Sequence, residues 1–167
     1  MQTLPGCILK LVFRVTPQRR LIIVAHALDQ MKTFAQHRWW QREAGGVLLG
    51  RHLLDSSDVV VDEVTTPQNS DRRSRFWFFR SKEHENLARK RWQEEKNSVA
   101  YLGLWHTHPE DDPSPSSVDC ADWHQAVACD AFEGDRLFFP IIGRSRMRVW
   151  CLSRHGSIEE LEEVGNG

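Results

Sequence analysis

His106-Thr107-His108-Pro109, followed by Asp119 with ten residues between it and His108, constrains this chain more than any other stretch. In extended backbone successive side chains alternate between faces, so residues two apart project together. Residues 99–108 read as a buried strand, which places both imidazoles on one side. The polar, proline-containing run 109–115 is long enough to bring a hard oxygen ligand back to the same point. Asp119 then falls in the first turn of a helix over 117–132. Two imidazole nitrogens and one carboxylate oxygen suit a zinc ion with bonds of about 2.0–2.1 Å, and they leave a fourth tetrahedral position for water. Structural zinc sites are closed and usually cysteine-rich, so an open set of this kind points to catalysis.

Each residue also has a plainer reading. A carboxylate in a first helical turn is favoured by the helix dipole, and Ser116 or Ser117 suits the N-cap. Other histidine chemistries fail on spacing. No His-Glu-x-x-His run occurs, and Glu110 and Asp111 stand where a metallo-β-lactamase-like site needs Asp and His. A deaminase Pro-Cys-x-x-Cys pair and a Gly-x-Ser-x-Gly elbow are also missing. Cys120 adjoins Asp119 but points about 100° away on a helix, which favours packing. His26, His37, His52, His84, His124 and His155 have no ligand spacing.

His-x-His-Pro with Ser116-x-x-Asp119 resembles the JAMM motif of the JAB or MPN-plus zinc metalloproteases, whose members also carry an upstream glutamate before a glycine-rich strand. Here that segment reads Glu43-Ala44-Gly45-Gly46-Val47-Leu48-Leu49-Gly50. The resemblance implies zinc on His106, His108 and Asp119, Glu43 as general base, and Ser116 as donor to the developing oxyanion, with Ser117 the alternative donor. It further implies cleavage of the bond after the C-terminal residue of a ubiquitin-like modifier or conjugated protein tail. The group it looks most like is the stand-alone bacterial one of anti-phage operons, where the conjugated protein is a nucleotidyltransferase. The alternatives are a peptidase processing a sulfur-carrier or other small precursor, and a non-catalytic scaffold of the same fold.

The remaining sequence fits one α/β (α+β) domain over 1–167, a curved, mostly antiparallel sheet with packed helices. Strands are predicted over 7–15, 21–24, 44–54, 58–65, 75–79, 137–143 and 147–152, and helices over 25–39 and 81–97. In the second of these helices Leu87, Ala88, Trp92 and His84 are expected to face inward. Core packing is the expected fate of most of the seven tryptophans. The acidic end, 156–167, is expected to fray. Residues 66–75 read as an exposed loop beside the substrate, with Arg72, Arg73 or Arg75 near a tail that pairs with a sheet edge. A net charge of −1 gives no reason to expect a nucleic-acid partner, and no apolar run is long enough to span a membrane. Cytoplasmic location, with reduced cysteines and no signal peptide, is the expectation.

Overall fold

The β-branched and aromatic segments pair into one large sheet in this computed structural model, which describes residues 10–165. The first half contains β1 (Lys10–Thr16), β2 (Arg19–Val24), α1 (Ala25–Lys32), β3 (Gly45–His52), β4 (Val59–Val64), β5 (Arg72–Arg73) and β6 (Phe78–Phe79). The second half contains α2 (Glu83–Glu94), β7 (Ala100–Thr107), α3 (Ser117–Cys129), β8 (Arg136–Ile142), β9 (Met147–Ser153), β10 (Ile158–Glu160) and β11 (Glu162–Glu163). The large sheet runs β10-β9-β8-β7-β3-β4-β2-β1-β11, while β5 and β6 form a separate ribbon. Only β2/β4 and β7/β8 pair in parallel; the other pairings are antiparallel. This is the mixed α/β architecture, largely antiparallel, that the sequence implies.

Residues expected to fray do the opposite. Ile158–Glu160 pairs with β9 at one end of the strand order, and Glu162–Glu163 pairs with β1 at the other. Between them Leu161 is buried in the core and its N–H donates to the Val149 carbonyl. One short segment thus covers both edges of the curved sheet, removing the open backbone that invites association. Its charges face water while Leu161 supplies the anchor, a pattern too brief for a periodicity reading to detect.

The sheet separates two apolar clusters. Ala27, Leu28 and Met31 of α1 join Leu21, Ile23, Val61 and Trp105 in the larger one. On the other side Trp123, Ala126 and Val127 of α3 pack on Val47, Leu49, Leu104 and Phe139. Trp123 stacks on Phe139 with centroids 4.7 Å apart, which fixes the rotation of α3 about its axis. Truncating such a buried tryptophan costs about 3–5 kcal/mol.

A bulge in β7 decides which cluster each later side chain meets. Leu48 pairs with Gly103 but Leu49 pairs with Tyr101, so Leu102 is an extra residue. Ala100 and Leu102 face the α1 cluster before the bulge, and Trp105 faces it afterwards. The parity has flipped, so Leu104 and His106 emerge on the α3 side. Gly103 makes this possible: its φ is 144°, and a Cβ there would lie 1.9 Å from the Phe138 carbonyl oxygen.

The helices are shorter than their apolar patterns suggest. The first ends at Lys32 rather than 39, tightening into three-residue turns in which Phe34 N–H donates to Met31 and Ala35 N–H to Lys32. Phe34 and Ala35 still reach the core. The second begins at Glu83, with His84 buried and Leu87 and Ala88 half-buried, but Trp92 is exposed. Four of the seven tryptophans (Trp39, Trp40, Trp77 and Trp92) are exposed, against the expectation of core packing. Of the strand expected over 7–15, residues 7–9, including Cys7, lie outside the described residues.

Candidate active site

Strand β7 delivers His106, and His108 follows just beyond its end, where its N–H donates to the Ile142 carbonyl. Asp119 reaches them from the first turn of α3, four residues before the docked Trp123 and therefore on the same helix face. His106 Nε2 and His108 Nε2 lie 3.0 Å apart. Asp119 completes the group, with Oδ1 at 3.2 Å from His106 Nε2 and Oδ2 at 3.2 Å from His108 Nε2. Tetrahedral ligands around a zinc ion with bonds of about 2.0–2.1 Å stand roughly 3.3 Å apart. Two imidazoles and a carboxylate converging on one point match that spacing, and the donor set suits zinc.

Glu43 precedes β3 and is almost fully buried, with Oε1 at 3.9 Å from His108 Nε2. Close approach sets its distance from the strand beside it. Gly45 pairs with His106, and a Cβ on Gly45 would stand 2.6 Å from the Trp105 carbonyl oxygen. A polar clamp holds the segment. Glu43 N–H donates to the Ser74 carbonyl, and Arg73 Nε donates to the Glu43 carbonyl at 2.6 Å. Thr107, between the two histidines, accepts the Ala44 N–H and donates its hydroxyl to Gln36 Oε1 at 2.9 Å. Gln36 is fully buried and gives its amide hydrogens to the Gln41 and Arg75 carbonyls. Gln36, Thr107 and Arg73 were not singled out for this site by sequence reading. Apart from Gln41, five residues from Gln36, their partners lie 30 to 71 residues away, so no local spacing signals them.

Electrostatics separates the two carboxylates. Burial raises the Glu43 pKa to about 8, outweighing the opposing pull of His108. Burial also works against the charge on Asp119, but hydrogen bonding to His106 and His108 and the Ser116 N–H hold it well below the usual range. His106 is pushed down by burial; His108 is raised, because its contact with Asp119 outweighs desolvation. Ser116 is the N-cap of α3: its Oγ accepts the Asp119 N–H at 3.1 Å and its N–H donates to Asp119 Oδ2 at 2.7 Å. The hydroxyl proton of Ser116 is not used in that box. Ser117 is the first helical residue.

A family profile described as prokaryotic homologs of the JAB domain matches residues 24–153, which include every residue of this site. The chain belongs to that family. This JAB-domain chain is 37% identical over 102 residues to a Pseudomonas aeruginosa protein named CD-NTase/cGAS isopeptidase, a match covering 59% of this chain and 63% of the relative. A Vibrio cholerae protein of the same name is 28% identical over 136 residues, covering 81% of this chain and 83% of that one. The fold is similar to that of a Desulfitobacterium hafniense protein solved in solution, with a TM-score of 0.58 and 23% identity over 83% of this chain and 87% of that one.

A groove of about 930 Å³ opens on the α3 side of the JAB domain. Val47, Leu49 and Leu104 form its floor, Ala88 and Trp92 of α2 one wall, and Phe132 the other. Arg80 lines it as well, paired with Asp122 of α3 at 3.1 Å and near enough to His106 to oppose its charged form. Residues 66–75 are not the free loop the sequence suggests. Asp71 is buried against His84 at 2.8 Å and accepts the Gln68 and Ser81 N–H groups. Arg75 donates to the Trp39 carbonyl at 2.6 Å, so Arg73 and Arg75 hold backbone instead of facing outward; only Arg72 is exposed. Among the described residues no helix is long and apolar enough to cross a membrane.

Proposed function

We propose that this JAB-domain protein is a zinc-dependent isopeptidase or peptidase that cleaves the bond after the C-terminal residue of a ubiquitin-like modifier or conjugated protein tail, in bacterial anti-phage signalling. The observation that carries the reading is the convergence of His106, His108 and Asp119 with a buried glutamate beside them. The isopeptidase names of the relatives support the same activity, with a nucleotidyltransferase as the conjugated protein.

In this reading His106, His108 and Asp119 hold the metal. A zinc ion held there would supply Lewis acidity toward the scissile carbonyl and would lower the pKa of a water to about 7. Glu43 would take a proton from the attacking water at Oε1 and return it to the departing amine; its low-polarity surroundings suit a carboxyl that must hold a proton and then release it. Asp119 does not share this task, because its environment favours the charged form throughout. Ser116, whose hydroxyl hydrogen is free of the capping box, donates a hydrogen bond to the oxyanion. The groove floored by Val47, Leu49 and Leu104, with Leu104 two residues before His106 on β7, takes the tail in extended form. Strand addition at the ends of the large sheet is blocked by residues 158–163, which leaves the β5–β6 ribbon as the edge for main-chain pairing.

Incubation with a modifier-tail fusion, with and without chelator, tests the reading. Metal-dependent release of the modifier is expected; an intact fusion with the metal-loaded protein would sink it.

A further inference from the structure

Arginines in this chain are nearly all paired, except in one place. Eleven of the seventeen have a carboxylate within salt-bridge reach among the described residues. Of the six without one, five are Arg38, Arg42, Arg72, Arg73 and Arg75, all on the two segments that flank Glu43. Residues 38–42 and 72–80 contain no Asp or Glu at all. The chain as a whole is nearly neutral, so this is a local excess of charge, not a general basicity.

Exposed aromatic rings occupy the same ground. Of eight exposed large hydrophobic residues among the described residues, five are Trp39, Trp40, Phe76, Trp77 and Phe79. Cations sit over the rings: Arg38 over Trp40 at 5.6 Å, Arg75 over Phe76 at 5.6 Å, and Arg72 over Trp77 at 6.0 Å. The Glu43 clamp, with Arg75 bonded to the Trp39 carbonyl and Gln36 to Arg75, knits the two segments into one surface. Scattered apolar residues are ordinary on a protein surface, but a contiguous aromatic cluster beside a reaction centre marks an interface.

We infer that this arginine–aromatic face docks an acidic stretch, interspersed with large apolar side chains, on the protein that carries the scissile bond. The uncompensated guanidinium groups fix the sign of the partner's charge, and the rings require apolar side chains between those charges. A second copy of this chain docking by two-fold symmetry would set unpaired arginines against unpaired arginines. Nucleic acid has the right charge and can stack on aromatic rings, but it offers no amide bond to the glutamate that this face surrounds. The inference rests on the hydrolase reading, which supplies that last step, and it adds which part of the substrate is recognised and by what.

The experiment measures anisotropy of a fluorescein-labelled peptide of alternating Glu and Phe on the full chain, beside its Gln-for-Glu counterpart and an oligothymidine. The Glu peptide is expected to bind about tenfold more tightly than the Gln peptide, as a few exposed ion pairs of ordinary strength give, and to weaken with salt. Arg38→Ala, Arg42→Ala and Arg72→Ala combined should abolish the difference between peptides. Trp39→Ala with Trp40→Ala should weaken both. These side chains are exposed, so the fold is not at risk. Equal affinity for the two peptides, or tighter binding of oligothymidine, would overturn the inference. Peptide binding needs neither metal nor Glu43, so it should survive chelator and Glu43→Gln. A charge-selective face on a protein that fails to cut the fusion therefore sinks the hydrolase reading alone. Cutting without charge selectivity sinks the face alone.

Discussion

Glu43 and Asp119 both face His108, yet they are held by different means and pushed in opposite directions. Asp119 is placed by regular structure: a helix whose rotation is fixed by Trp123, and a capping box that uses one of its own oxygens. Its charged form is stabilised by two imidazoles and a backbone N–H. Glu43 stands outside any element and is placed by polar contacts from two distant segments, Arg73–Ser74 and Thr107, with burial holding its pKa up at about 8. A carboxylate that ligates a cation has to stay charged, whereas one that carries a proton has to accept it readily. The difference in support thus follows the difference in proposed task. It also says where each fails: Asp119 with α3 and β7, Glu43 with a loop network that can loosen while the metal stays.

The largest effect should come from the Asp119 half. His108→Ala is expected to lower zinc content from about one per chain to background and remove cleavage entirely, while the fold persists. Elemental analysis and circular dichroism check both parts. Retained zinc would place the metal elsewhere. Next in size, Glu43→Gln should keep zinc while kcat falls by about 10²–10⁴-fold, the usual contribution of general acid–base catalysis. Cleavage at the parental rate would remove Glu43 from the mechanism. If both variants lost metal equally, the division between the two halves would collapse.

Gln36 sharpens the same division. Gln36→Leu leaves the Thr107 hydroxyl and the Gln41 and Arg75 carbonyls without buried partners, so a loss of about 1–3 kcal/mol is expected in urea unfolding. Because these groups fix Glu43 and not Asp119, kcat should fall by about tenfold with zinc content unchanged, a small displacement being costly to a proton transfer. Loss of zinc in this variant would show that the clamp serves the metal as well.

The same contrast explains what was legible. The His106, His108 and Asp119 cluster could be read because strand alternation and a helix start are local rules written within fourteen consecutive residues. Glu43 was visible only through family resemblance; nothing in its own neighbourhood distinguishes it from a surface glutamate. The bulge at Leu102–Gly103 was invisible, although it decides which face His106 joins. The polar, aperiodic stretch 66–75 puts Arg72, Arg73 or Arg75 near the substrate, and of these Arg72 is exposed while Arg73 and Arg75 are half-buried. Here, with no carboxylate in reach, they turn to backbone carbonyls. The apolar pattern carries the exposed Trp39 and Trp40 into a helix, but the helix ends at Lys32, and the buried Gln36 beyond it bonds to Thr107.

The smallest expected effect lies one layer further out, at Asp71. Burial works against its charge, but His84 and the Gln68 and Ser81 N–H groups outweigh that and keep its pKa below the ordinary value. His84 in turn meets the Thr65 hydroxyl at 2.6 Å, which ties the 66–81 segment to the end of β4 and β3. A carboxyl whose folded pKa is depressed lends stability that is complete above its unfolded pKa of about 3.9 and is lost as pH falls through the folded value. Asp71→Asn should therefore lower stability at neutral pH by about 1.5–3 kcal/mol, the worth of hydrogen bonds to a charged group, and flatten the acid limb of the Tm–pH curve. At neutral pH and permissive temperature, kcat should drop only about twofold and zinc should stay, because Asp71 reaches Glu43 only through Arg73 and Ser74. An unchanged acid limb in the Asn variant would mean that the Asp71 carboxylate contributes nothing to holding the segment on which the Glu43 clamp depends.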